Sequence, residues 1–105
     1  MTSRNVLLLA VALAAAGCGG GGGGEAPPDV LALSKRAYED AKSRGVQMDR
    51  GPCLGVVSPG WVADVAHDPR EPVDDEPANQ CEALRAGRAK HFVELDPDGK
   101  VIRTG

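Results

Sequence analysis

Aromatic side chains are nearly missing from this sequence: Tyr38, Trp61 and Phe92 are the only three in 105 residues. A core built mainly of Val, Leu and Ala buries little area per side chain, so a small fold of this composition needs a covalent aid. No cluster of Lys and Arg occurs, and the formal charge is -3, which leaves no electrostatic footprint for nucleic acid or for anionic lipid. No apolar run reaches the ~20 residues that cross a hydrocarbon core. Glycine-rich phosphate loops and Gly-x-Ser-x-Gly elbows are also lacking, because the one glycine tract, Gly19 to Gly24, runs on toward Pro27-Pro28 and not directly into a helix. His67 and His91 are the only candidate imidazole bases, and neither sits in a catalytic motif. A chain this short has little material to wall a water-excluded pocket, so no enzyme, no catalytic residue and no cofactor are expected.

What is present begins with a three-part leader. Arg4 supplies a positive start, Val6 to Ala16 is apolar and uncharged, and Ala15-Ala16-Gly17 places small side chains directly before Cys18. Six glycines follow, a tract that gives up maximal backbone entropy on ordering and therefore behaves as a tether.

Leu13-Ala14-Ala15-Ala16-Gly17-Cys18 resembles the lipobox that ends bacterial prolipoprotein signals, with Ala15 standing where Leu is favoured. The resemblance covers residues 1–18. It implies removal of residues 1–17, a diacylglycerol thioether on the Cys18 thiol, and a membrane contact made through that lipid on the extracytoplasmic side. Residues 18–28 then form the lipidated cysteine and tether, and 29–105 the domain, roughly 75 residues, a size at which a single core is marginal. Loss of Arg4 with the leader takes the formal charge from -3 to -4.

The domain reads as α+β. Val30 to Arg44 has helical spacing, with Val30, Leu31, Leu33, Ala37, Tyr38 and Ala41 on the expected inner side and Lys35, Arg36, Glu39, Lys42 and Ser43 outside. Asp29 is the expected cap and Gly45 the expected stop. Leu54 to Val57 and Trp61 to Ala66 are expected strands joined by the turn Ser58-Pro59-Gly60. Pro77 to Ala86 is expected as a short helix capped by Asp75. Phe92 to Leu95 and Val101-Ile102 flank Asp96-Pro97-Asp98-Gly99, which suits a bulged hairpin turn better than an incomplete calcium loop. The expected architecture is one amphipathic N-terminal helix on a small antiparallel sheet that ends in a C-terminal hairpin.

With Cys18 consumed by lipid, Cys53 and Cys81 remain as an even pair and are expected to form a disulfide. A zinc site made with His67 and His91, which lacks the usual close ligand spacing, and a reactive thiol are the alternatives. Asp64, His67, Asp68, Glu71, Asp74, Asp75 and Glu76 crowd into thirteen positions. A solvated acidic loop accounts for them; Asp64, His67, Asp68, Asp74 and Asp75, with His91, are the candidates for a hard-cation site. Trp61 is expected as the central plug of the core. Two functions stand at this point: a membrane-anchored, non-catalytic binding or interaction module with an envelope protein as partner, or a lipoprotein that binds a metal or small ligand through residues 64–76.

Overall fold

A computed structural model describes residues 25–105; the leader, Cys18 and the tether up to Gly24 lie outside the described residues. Helix α1 (Pro28–Ser43) opens with proline at its first position and Pro27 at its cap, with no side-chain cap. Proline suits that place because the first N–H groups of a helix have no internal acceptor. Asp29 therefore lies inside the first turn, where its charge faces the positive end of the helix dipole. At the other end the Val46 N–H donates to Ala41 O and the Gly45 N–H to Lys42 O, each at 3.0 Å, which closes the last turn in a Schellman arrangement.

The inner stripe of α1 is Val30, Ser34, Tyr38 and Ala41. Leu33, expected inside, is 38% exposed, while Ser34 is fully buried. A buried hydroxyl needs a partner, and the Ser34 Oγ donates to Val30 O at 2.8 Å, one turn back. This rotation of the helix brings Tyr38 onto the sheet.

Four strands follow: β1 (Cys53–Ser58), β2 (Trp61–Val65), β3 (His91–Leu95) and β4 (Val101–Thr104), in spatial order β1-β2-β3-β4. Both expected hairpins form, β1 with β2 and β3 with β4 antiparallel. The pairing between the hairpins is parallel, Trp61 opposite His91 through Val65 opposite Leu95, so the sheet is mostly rather than wholly antiparallel. Parallel neighbours need a long crossover, and residues 66–90 supply it. That crossover contains two 3-10 turns (Pro72–Asp75 and Pro77–Asn79) and a single helical turn, α2 (Glu82–Arg85). The helix expected over Pro77 to Ala86 is thus only one turn long and starts from Cys81, not Asp75. Its few apolar residues give it too narrow a stripe to stabilise more.

The sheet has two unlike faces. Ala63, Val65, Val93 and Leu95 point to α1 and bury with Val30, Tyr38, Ala41 and Met48. Val62 and Phe92 point the other way, to Cys81, Ala83 and Ala89 of the crossover. Tyr38 is the pivot of the first face. It is 2% exposed, its hydroxyl donates to Pro97 O at 2.7 Å, and a Cβ on Gly99 would stand 2.8 Å from its ring. Gly99, at φ 92°, therefore serves both the hairpin turn and this contact. Trp61, expected as the plug, is instead half-buried at the sheet end and stacks on His91 with ring centroids 4.7 Å apart. Its strand begins too near the Gly60 turn for the ring to reach the centre.

Cys53 and Cys81 are joined, with Cα atoms 5.0 Å apart. The bond ties the start of β1 to the crossover just before α2. Among the described residues, no helix is long and apolar enough to cross a membrane.

Candidate functional site

Strands β2 and β3 read Trp61-Val62-Ala63-Asp64-Val65 and His91-Phe92-Val93-Glu94-Leu95, each with one acid at its fourth position. Because the two strands are parallel and in register, Asp64 and Glu94 are direct neighbours. Strand alternation puts both on the crossover face. On the other side of Glu94, β4 sets Arg103 opposite it. Four residues distant in sequence thus meet at one patch, the fourth being Arg70 from the crossover.

Glu94 is 6% exposed and pairs with both arginines: Arg70 Nη1 lies 3.3 Å from its Oε2, and Arg103 takes its Oε1. Arg70 also donates from Nε to Asp75 Oδ1 at 2.8 Å and from Nη2 to Asp74 O at 3.4 Å. One guanidinium therefore joins β3 to the first 3-10 turn of the crossover, using the planar fork that lysine lacks. Asp64 stands beside this group as the second carboxyl. Burial, and then the charge of Glu94, push its pKa up to about 7; Asp74 adds to the rise, while Arg70 and Arg103 oppose it.

Asp74 is the opposite case. Its side chain is fully buried, which disfavours the charge, but Oδ2 accepts the backbone N–H groups of Glu71 and His67, each at 2.9 Å. Its Oδ1 lies 3.0 Å from the His67 ring. These contacts outweigh burial and hold the Asp74 carboxyl below the usual range. An ionised carboxylate only accepts, so the His67 Nδ1–H is the donor in this pair, and the ring's Nε2 lies 3.7 Å from Glu71 Oε1. Gly51, at φ 67°, lets the chain pass over this carboxylate; a Cβ there would meet Asp74 Oδ1 at 2.6 Å.

Of the residues singled out in the acidic segment, the fold thus gathers Asp64, His67, Asp74 and Asp75 around Arg70. Asp68 stays exposed at the bend before Pro69. His91 lies on the α1 face of the sheet, by alternation from Val93, and so is parted from Asp64 by the sheet itself. Among the described residues no three His, Cys, Asp or Glu side chains converge as a metal site. The zinc alternative also loses Cys53 and Cys81 to their disulfide.

Glu94, Arg70 and Arg103 escaped the sequence reading. The available signal was the lone acid inside each apolar strand, since a charge amid a buried run needs a partner. An open hollow of about 310 Å³ is lined by Asp75, Pro77, Gln80 and Arg85, away from Asp64 and His67. Family models, curated proteins and solved structures were all compared with the chain, and none matches it.

Proposed function

We propose that this chain is an exported bacterial lipoprotein, cut before Cys18 and anchored through lipid on that cysteine. In this reading the domain is a non-catalytic binding or interaction module held at the extracytoplasmic surface, with an envelope protein as partner. The observation that carries the proposal is the Cys53–Cys81 disulfide. Structural disulfides belong to oxidising compartments, which agrees with the leader. The bond also uses two of the three cysteines and leaves Cys18, the one placed behind the small residues of the leader.

Two further features support the reading. Ala26 packs against the α1-side core and Leu31 N–H donates to Pro27 O at 3.0 Å, so the domain is tied to its core from the first described residues onward. If Gly19 to Gly24 act as the tether expected from the sequence, six glycines would span on the order of 15 Å, enough to set the domain just clear of the headgroups. In the patch around Arg70, the carboxylates of Asp74, Asp75 and Glu94 are engaged by arginines, backbone N–H groups and an imidazole, an arrangement that consumes oxygens a hard cation would need. That weighs against the metal- or ligand-binding alternative for residues 64–76.

The test is Cys18→Ser. The unaltered protein should fractionate with membranes and carry acyl mass, and the substituted one should lack that mass and leave the membrane fraction or retain its leader. Acyl mass that persists in the Cys18→Ser protein would refute the anchor.

A further inference from the structure

The crossover 66–90 is poor in apolar residues, yet it must lie against a sheet face. Toward the Cys81 end it is held by the disulfide and by Ala83 and Ala89. Toward the Ala66 end its attachment to the sheet is polar: the Ala66 N–H donates to Leu95 O at 2.9 Å and Arg70 pairs with Glu94, while Asp74 holds the crossover's own turn together through the backbone N–H groups of His67 and Glu71. Beneath that polar end lie Asp64 and Glu94, on strands about 4.8 Å apart.

Two carboxylates so close cannot both ionise freely when the surroundings are partly dry. Both arginines of the patch are committed to Glu94. The groups around Asp64 are Glu94 from β3, Arg103 from β4, and Arg70 and Asp74 from the crossover, with His67, Glu71 and Asp75 behind these. Its neighbour on β1 is Cys53, which is disulfide-bonded and does not titrate. An ionised Asp64 adds a negative charge against Glu94, through which Arg70 fastens the crossover to the sheet, and against Asp74, which holds the crossover's own turn together.

We propose that Asp64, Glu94, Arg70 and Arg103 form a proton-operated clamp on the crossover. With Asp64 protonated, the crossover is held to the sheet; when the proton leaves, repulsion loosens the Ala66 end, while α1 and the disulfide stay in place. The clamp goes beyond the anchoring reading and stands whether or not Cys18 carries lipid. For a domain outside the cytoplasm it would make the acidic surface of the crossover respond to external pH.

The direction follows from linkage. In the open crossover Asp64 meets water and titrates at the ordinary value of 3.8, and in the closed one at about 7. Between these the closed form holds a proton that the open form lacks, so closure weakens as pH rises and levels off above about 7. Asp74 has the reverse shift, and its contribution is lost only as pH falls below the ordinary carboxylate range.

Hydrogen exchange on the full-length protein tests the clamp, with rates corrected for intrinsic pH dependence. Protection of the Ala66 amide, which donates to Leu95 O on the sheet, and of the Glu71 amide held by Asp74 should fall at least roughly tenfold between about pH 5 and pH 7.5 and then level off, with α1 amides unchanged. In Asp64→Asn the high protection should persist at both values, and His67→Asn should keep the pH step. Protection independent of pH, a step that survives Asp64→Asn, or one abolished by His67→Asn would overturn the proposal. Carbon-13 titration of the Asp64 carboxyl in the unsubstituted protein gives an answer that needs no variant to fold. A midpoint near neutrality is expected, and one in the ordinary carboxylate range would refute the clamp.

Discussion

The two faces of the one sheet are covered by opposite means. On one, α1 lays a continuous stripe of Val30, Ser34, Tyr38 and Ala41 over Ala63, Val65, Val93 and Leu95. On the other, a crossover with only one turn of α-helix is fixed to the sheet by a disulfide and by Arg70 on Glu94, and is held in shape by a buried carboxylate that caps its own backbone N–H groups. The first face is stabilised by burial, which is non-directional and tolerant of small shifts. The second depends on covalent and charged contacts, which fix geometry but answer to redox state and pH. A chain this poor in aromatics can cover one face by packing, and the difference shows what the other face must then use.

The sharpest way to break the packed face is Tyr38→Ala. It removes the largest fully buried side chain and its bond to Pro97 O, and leaves a cavity against Gly99. A loss of about 4 kcal/mol is expected, enough to leave the domain largely unfolded on thermal melting by circular dichroism. Stability within about 1 kcal/mol of the parent would show that α1 is not the main support.

Removing the covalent contact comes next. Cys53→Ser should cost on the order of 3.5 kcal/mol, the chain-entropy value for closing this loop, and lower Tm by roughly 15–25 °C. The double Cys53→Ser, Cys81→Ser variant should melt close to the single one, because each removes the same bond. Exchange protection should fall first in residues 66–90. A uniform loss across both faces would remove the distinction drawn between them.

The smallest effect belongs to Ser34→Ala. The hydroxyl is buried in the packed face but bonds only within its own helix, to Val30 O. Alanine fits the same space and has the better helix propensity, so the change should be within about 0.5 kcal/mol and measurable by urea titration. A large loss would mean that the polar group has a role in the packed face that α1 geometry does not suggest.

What could be read in advance was what is local. The α1 period, the turn residues Ser58-Pro59-Gly60 and Asp96-Pro97-Asp98-Gly99, and an even cysteine pair each carry their signal within a few positions. Asp96 shows why: its Oδ1 accepts the N–H groups of Asp98 and Lys100, each at 2.9 Å, which is turn chemistry complete in five residues. The exact rotation of α1 was not local, since Leu33 and Ser34 are adjacent and only the position of the sheet decides which one turns inward. Nor was the parallel pairing of β2 with β3, which joins segments separated by the whole crossover. The charged patch depends on that pairing. Asp64, Arg70, Glu94 and Arg103 become one group only once the strands are in register, so the acidic segment looked like a solvated loop while part of it was bound for the sheet.

The central claim is that an oxidising, membrane-facing address and a disulfide-held domain belong to the same molecule. Intact mass analysis of the protein extracted from membranes, with alkylation before and after reduction, examines both ends at once. The account predicts a chain that starts at Cys18, carries acyl mass there, and takes up alkylating reagent at Cys53 and Cys81 only after reduction. A chain without acyl mass, or one whose Cys53 and Cys81 are alkylated before reduction, would contradict it.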